Sequence, residues 1–356
     1  MLERATDGWA ATQEEGAYVM RQWQLNGTNG SSSLAMTRSD IPKPGRKQVL
    51  VKIRAVSLNY RDVIIVHGTY PVPTKSGLIP ASDSAGRVEE VGPEVTRFKA
   101  GDRVTNAFVP GWISGKANNM GFRRLRGNPD PGVLAEYVVF EEEDLIATPA
   151  FLSDEEAAST PCAGVSAWNA LYGGSEPLKP GETVLVQGTG GVAMFALQIA
   201  HAGGAGVVMT SSSDKKLEQV ASLGVWRAVN YRTHPEWHEE VKRVTNGEGV
   251  HITVEIGGPG TLARSIKATR FGGTVSMVGV LTRGQVDPLT VMHQGLTLRS
   301  IGAGSREMHE AMYRSMELRR WRPVIDKVFS FDDAKAAFDR IESGGHIGKV
   351  IIKMAQ

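Results

Sequence analysis

The chain has a single cysteine, Cys162, among 356 residues. It can therefore form no intrachain disulfide and no Cys-rich zinc lobe. That usage fits a reducing compartment, and a cytoplasmic location is expected. Long apolar runs are also missing, and none approaches the ~20 residues of a membrane span. Residues 1–17 carry Glu3, Arg4, Asp7, Glu14 and Glu15 around no hydrophobic centre, so no secretory signal is expected there. Patterned sequence begins near Met20-Arg21-Gln22-Trp23, so residues 1–19 are expected to be a poorly ordered extension. Charge of one sign is lacking: 40 Lys and Arg against 38 Asp and Glu leave +2. This gives no global attraction to nucleic acid or an anionic membrane, and neither is expected as a partner. Arg123-Arg124-Leu125-Arg126 is the only dense basic patch and reads as a solvated loop. No Gly-x-Ser-x-Gly elbow, P-loop lysine motif or HExxH string occurs, so hydrolase and kinase chemistries have no support. The 8 histidines form no metal-like cluster. His234 and His238 share an i, i+4 spacing without a third ligand, and read as a solvated helix face.

What is present is a soluble globular composition, 41% apolar and 22% charged, long enough for two domains. In the first part, Val49, Val51 and Ile53 alternate with Leu50, Lys52 and Arg54, as in a strand with one buried face. Gly86–Gly92 and Arg103-Val104 continue a β-rich domain to about Pro149. Residues 110–132, rich in Gly, Asn, Pro and Arg, read as a long surface excursion. After the helix start Ser153-Asp154-Glu155-Glu156 the period changes. Strands near 183–186, 206–210, 228–230, 252–256 and 274–280 alternate with helices from 192, 214, 237 and 262, most of them closed by glycine. That alternation specifies a doubly wound parallel sheet. Ser330-Phe331-Asp332-Asp333 resembles a capping box before an apolar helix face at Ala334, Phe338 and Ile341. A last strand follows at Lys349–Ile352.

The most informative run is Val184-Leu185-Val186-Gln187-Gly188-Thr189-Gly190-Gly191-Val192-Ala193. A buried parallel strand, a tight glycine turn and a helix start are the geometry that seats a pyrophosphate. Gly188 permits the turn, Gly190 lets N–H groups approach phosphate oxygens, and Ala193 allows close helix–strand packing. NAD-binding sheets usually place a carboxylate about 20 residues after the first glycine. Here Thr210-Ser211-Ser212-Ser213 stands there, with Lys215 and Lys216 beyond. Hydroxyls and an ammonium suit a 2′-phosphate, so NADPH/NADP+ is the expected cofactor. Asp214 reads as a residue of the first helical turn.

Together these motifs resemble the medium-chain dehydrogenase/reductases, in the zinc-independent branch that is alcohol-dehydrogenase-like and quinone-oxidoreductase-like. The resemblance rests on Leu58-Asn59-Tyr60-Arg61-Asp62, Gly68-Thr69-Tyr70-Pro71, Pro80–Gly86, Pro161–Leu171, the glycine turn, Thr210–Lys216 and Gly348-Lys349-Val350. It implies an α/β chain: a GroES-like β-rich catalytic domain (20–152), a doubly wound parallel Rossmann sheet (153–293), and a segment (294–356) with the last Rossmann strand region and the return to the catalytic domain. In zinc-dependent relatives a Cys, a His-Glu pair and a second Cys form the metal site. Here Asn59 and Ser82-Asp83 stand at the first two places and only Cys162 matches a ligand, so no metal is expected and Cys162 reads as a packing residue. Residues 110–132 occupy the stretch of the structural zinc lobe.

By family position Tyr60, Tyr70 and Asn59 are the candidate catalytic donors. Each tyrosine reads equally as a wall residue, and Asn59 as a loop or cofactor contact. Arg61 and Asp62 read as a structural ion pair, and His67 is a further acid/base candidate. The candidate cofactor contacts are Gly188, Thr189, Gly190, Gly191 and Val192 at the pyrophosphate, and Ser211, Ser212 and Lys216 at the 2′-phosphate. Tyr231 is placed beside the adenosine, and Gly257, Val278, Gly279 and Val280 near the nicotinamide. The expected activity is hydride transfer from NADPH to a small-molecule quinone or enone. A metal-free alcohol dehydrogenase or ketone reductase is the alternative enzyme, and an NADPH-binding sensor is the alternative of another class. The resemblance also implies a homodimer through the sheet edge at Thr297–Ile301.

Overall fold

The computed structural model describes residues 19–117 and 119–355. Of the expected extension only Val19 lies within them, and it opens the first strand. The first domain contains β1 (Val19–Leu25), β2 (Leu34–Asp40), β3 (Gln48–Leu58), α1 (Tyr60–Val66), β4 (Asp83–Val91), β5 (Arg103–Asn106), α2 (Asn119–Phe122), β6 (Tyr137–Glu141) and β7 (Leu145–Ala147). Then follow α3 (Asp154–Ala158), α4 (Val165–Tyr172), β8 (Thr183–Gln187), α5 (Gly191–Ala202), β9 (Gly206–Ser211), α6 (Asp214–Val220), β10 (Val225–Asn230) and α7 (Trp237–Val244). The alternation continues with β11 (Val250–Glu255), α8 (Pro259–Ala268), β12 (Thr269–Met277), α9 (Pro288–His293), β13 (Thr297–Ser300) and α10 (Arg306–Arg319). Finally come β14 (Ile325–Ser330), α11 (Ala334–Glu342) and β15 (Lys349–Lys353).

β8 to β13 form a parallel six-stranded sheet in the order β10-β9-β8-β11-β12-β13. Val184, Leu185 and Val186 are all fully buried, because helices cover both faces of the sheet. The strand order reverses between β8 and β11, the crevice where such sheets bind ligands. β15 pairs antiparallel with β3, so the end of the chain closes the first domain's sheet of β14-β15-β3-β4-β5-β7, with β6 also on β3. A buried hydroxyl chain links the two domains: Tyr313 Oη donates to Thr105 Oγ1 at 3.0 Å, while Thr160 Oγ1 meets Tyr313 Oη at 2.9 Å and His309 Nε2 at 2.8 Å.

Several local expectations are corrected. The excursion expected over 110–132 is only partly on the surface: Gly111, Lys116 and Met120 are exposed, while Trp112 and Leu125 are buried beside Ala303 and Cys162. Within the basic patch, Arg126 lies 4.2 Å over the Phe140 ring and donates to the Val139 carbonyl at 2.7 Å. Its burial lowers the guanidinium to about 10. His238 does not belong to a solvated face, being buried on α7 with Nδ1 3.5 Å from Glu236. β12, Thr269–Met277, begins and ends earlier than the strand expected near 274–280. Ser330 and Asp333 bond each other in the turn before α11, whose N-cap Asp333 makes no side-chain cap.

Candidate active site

The glycine turn sits between β8 and α5, and its three glycines do different work. Gly188 has φ +76°, and a Cβ there would meet nothing within 4 Å, so this face of the turn is open. Its N–H donates to the Thr210 carbonyl at 2.7 Å, tying the turn to β9. A Cβ on Gly190 would lie 3.7 Å from His346 Nε2 and touch nothing else within 4 Å. On Gly191 it would lie 2.6 Å from Lys349 Cδ, so this glycine makes room for a lysine stem. Thr189 is buried and its carbonyl accepts from Gly348 N–H at 2.9 Å, while Val192 is half-buried. An open glycine cradle at a helix N-terminus fits a dinucleotide pyrophosphate.

Gln187 locks this turn to the end of β11. Its Nε2 donates to Glu255 at 2.8 Å and to Ser265 Oγ at 2.7 Å, and its Oε1 accepts from Ile256 and Gly257 N–H at 3.0 Å each. Gly257 therefore has no free N–H for a ligand. The Val278 and Gly279 N–H groups both donate to the Glu255 carbonyl, at 2.8 and 3.1 Å. These residues can offer carbonyl oxygens but not amides, and Val280 beyond them is 71% exposed. A Cβ on Gly279 would overlap the Ile256 carbonyl oxygen.

At the end of β9, Ser211 Oγ accepts from Ser213 N–H at 3.3 Å and Ser213 Oγ accepts from Lys216 N–H at 3.3 Å, capping α6. Ser212 is half-buried. Lys216 is not a free ammonium: it donates to the Gly344 and His346 carbonyls at 2.9 and 3.3 Å. Partial burial pushes its pKa down. Asp214 accepts from Asn230 Nδ2 at 2.9 Å. Tyr231 is 42% exposed, and its N–H donates to the Ser211 carbonyl at 3.0 Å.

The second half of the site is polar and buried. Asn59, Ser82, Asp83, Cys162 and Lys349 converge although they come from widely separated segments of the chain. Lys349 Nζ donates to the Leu58 carbonyl at 2.7 Å and to Asn59 Oδ1. Asn59 Nδ2 faces Ser82 Oγ at 3.5 Å. Ser82 Oγ donates to Asp83 Oδ1 at 2.7 Å, and Asp83 Oδ2 accepts from Cys162 N–H at 2.9 Å. Burial raises the Asp83 carboxyl and lowers the Lys349 ammonium, each opposed by the other's charge. Burial also pushes the Cys162 thiol up, with the nearby Asp83 charge acting the same way.

Of the other candidates, Tyr60 is 47% exposed at the start of α1. Tyr70 is half-buried, with the Arg61 guanidinium 5.2 Å over its ring and 5.3 Å over that of Phe108. The Arg61–Asp62 ion pair is long, at 3.7 Å; Arg61 instead donates to the Arg126 and Asn128 carbonyls at 2.9 and 3.2 Å. Asp62 Oδ2 accepts from Asn59 N–H at 2.8 Å, and burial raises this carboxyl to about 6. His67 belongs elsewhere, since its Nε2 is 2.8 Å from Glu342 and its ring lies against Gly30. Sequence reasoning missed Lys349, His346 and Gln187 as site residues. The Gly348-Lys349 step that opens the last strand was the available signal.

Two family models match the chain: an alcohol dehydrogenase GroES-like domain over residues 45–150 and a zinc-binding dehydrogenase domain over 191–318. A zinc-type alcohol dehydrogenase-like protein of Schizosaccharomyces pombe is 40% identical over 336 residues, covering 92% of this chain and 96% of that protein. The chain belongs to the medium-chain dehydrogenase/reductase superfamily. A superfamily member from Sus scrofa, a quinone oxidoreductase, is 29% identical over 91% of this chain and 94% of its own. A solved NAD-dependent alcohol dehydrogenase superposes with a TM-score of 0.85 at 31% identity, covering 94% of this chain and 100% of that one. The chain is thus an oxidoreductase of the alcohol dehydrogenase and quinone oxidoreductase type. The fold of the medium-chain dehydrogenase/reductases binds a nicotinamide dinucleotide.

Proposed function

We propose that this chain is a zinc-independent, NADPH-dependent reductase of conjugated carbonyl compounds, quinones or enones. The observation that carries the reading is a lysine ammonium buried among Asn59, Asp83 and Cys162. A catalytic zinc needs three good N, S or O ligands and an open position. Here the amide oxygen of Asn59 faces Lys349, the Asp83 carboxylate is taken by Ser82 and Cys162 N–H, and the thiol resists ionisation. Among the described residues no group of three His, Cys, Asp or Glu side chains converges on a metal position. This donor set does not fit zinc, although relatives carry zinc in their names.

When bound, a reduced nicotinamide dinucleotide supplies a hydride. Gly188 and Gly190 leave room for its diphosphate, and the N-terminus of α5 adds partial positive charge there. Around the acceptor the protein has hydrogen-bond donors rather than a Lewis acid, which suits substrates whose developing negative charge spreads through conjugation to oxygen. The Tyr70 hydroxyl and the Asn59 amide are the donors, and Tyr60 stands at the exposed rim. For the 2′-phosphate the reading rests on hydroxyls at Ser211 and Ser212 in place of a carboxylate, with Lys216 exchanging its two carbonyl partners for phosphate oxygens. β13 is the free edge of its sheet, with exposed Phe271 and Met292 nearby, so a second copy of the chain is the proposed partner. A metal-free alcohol dehydrogenase is the second reading, since relatives are named alcohol dehydrogenases, some of them zinc-type.

NADPH and NADH oxidation against a panel of quinones, enones, ketones and aldehydes, with metal analysis of the same sample, tests the reading. Turnover of quinones or enones without stoichiometric zinc supports it. Bound zinc removes the metal-free mechanism, and tight NADPH binding with no turnover favours a sensor.

A further inference from the structure

The buried lysine raises the question of what an ammonium does beside an amide in this pocket. Lys349 is 2% exposed, and it carries three N–H donors but has two acceptors within hydrogen-bonding distance, the Leu58 carbonyl and Asn59 Oδ1. An ammonium has no acceptor lone pair, so only the oxygen of the Asn59 amide can face it. That fixes the amide's flip: Nδ2 must turn the other way. There one N–H has the Asp83 carboxylate to donate to, and the other finds only Ser82 Oγ at 3.5 Å, a long contact, so one N–H stays available to a ligand. Asn59 also keeps 9% of its surface exposed, the most of the five converging residues except the half-buried Cys162. The residue's backbone is held separately, by the Asn59 N–H donating to Asp62 Oδ2 at 2.8 Å.

We propose that Lys349 is a positioning residue that orients and polarises the Asn59 amide, so that an Nδ2 N–H serves as the electrophilic donor to the substrate's carbonyl oxygen. A cation on the oxygen side of an amide withdraws density from its nitrogen, and hydrogen bonds in such a chain strengthen one another in a buried setting. The positive charge that a metal would apply directly is thus applied through one intervening side chain. Gly191 is part of the device: a Cβ there would sit 2.6 Å from Lys349 Cδ and push the stem off its course. Asp83 supplies the counter-charge that keeps a cation tolerable at this depth. The inference rests on the reductase reading above and names the group of that site which polarises the acceptor.

The test is a double-mutant cycle on Asn59→Ala and Lys349→Met, read as kcat, KM and nucleotide dissociation constant with the best panel acceptor. Each single change should lower kcat on the order of a hundredfold, as loss of a preorganised donor does. The double variant should be no slower than the slower single one, because the lysine acts only through the amide. Nucleotide affinity should stay within about threefold, since a tenfold change would need about 1.4 kcal/mol of lost binding. If Lys349→Met does not fold with Asp83 left unpaired, the neutral pair Lys349→Met with Asp83→Asn takes its place in the cycle. Losses that multiply overturn the proposal, as does unchanged kcat in a folded lysine variant. A loss confined to nucleotide affinity also overturns it and assigns the ammonium to the diphosphate. A wild-type protein that reduces no carbonyl removes the reductase reading and this proposal with it. An active wild type with unaffected variants removes the proposal alone.

Discussion

Replacing Asp62 with asparagine should make the protein more stable at neutral pH and leave it unchanged in acid. The carboxyl is fully buried on the first turn of α1, where Oδ2 accepts the Asn59 N–H and Oδ1 has no hydrogen-bond partner. Arg61 stands 3.7 Å away and is already satisfied by two carbonyls, so it compensates only in part. Burial therefore wins, and the carboxyl moves from 3.8 to about 6. A raised acid binds its proton more tightly when folded, so ionisation works against the fold. The penalty is absent below pH 4, grows between pH 4 and 6, and is complete above. Its full size is about 3 kcal/mol. The asparagine side chain would keep an oxygen for the Asn59 N–H and carry no charge. Urea unfolding of Asp62→Asn against wild type at pH 4, 5, 6 and 8 should show a difference that rises with pH to about 2–3 kcal/mol in favour of the variant. A variant less stable at pH 8, or a difference flat across that range, refutes the reasoning.

Three further outcomes follow from the same contacts. Gly191→Ala should lower kcat at saturating nucleotide in steady-state assays, because its Cβ displaces the Lys349 stem, while Gly188→Ala, whose Cβ enters the room left for the diphosphate and costs about 1 kcal/mol of backbone strain, should chiefly weaken nucleotide binding; equal kcat losses would show that the stem yields freely. Lys216→Ala should weaken NADPH in fluorescence titration by about tenfold while leaving NADH within about twofold, an ionic contact being lost from one ligand only; parallel losses would mean that the lysine serves as a latch on Gly344 and His346. Phe271→Asp combined with Met292→Lys should shift the mass measured by light scattering from two chains to one, since both side chains are exposed, at 75% and 72%, near the sheet edge; an unchanged mass would place any interface elsewhere.

The doubly wound sheet was legible because its signals are local. Val184, Leu185 and Val186 form a continuous apolar run, as a strand covered on both faces must, and glycines such as Gly203 and Gly224 stop the helices between strands. The open turn at Gly188 followed from the same local pattern. The polar pocket was only half legible, because Asn59 and Lys349 meet across a separation of 290 residues. Nothing in the periodicity of either segment announces that contact. The basic patch Arg123–Arg126 misled for another reason: composition marks it as a solvated loop, yet Arg126 buries its guanidinium over Phe140 and Arg61 draws the Arg126 and Asn128 carbonyls inward. A charged side chain that stacks on a ring looks the same in sequence as one that faces water.

The stitch between Thr189 and Gly348 sets the order in which the glycine cradle can come into being. Gly348 N–H donates to the Thr189 carbonyl, Gly190 and Gly348 form a parallel bridge, and the Lys349 stem lies over Gly191. In a nascent chain the glycine turn itself emerges more than a hundred residues before Gly348 is synthesised. The cradle therefore stays unfinished until the last strand threads back between β14 and β3. A chain cut short by its final ten residues loses that strand and the wall of the cradle together. In this architecture the cradle closes only once the strand that follows Gly348 has joined its sheet.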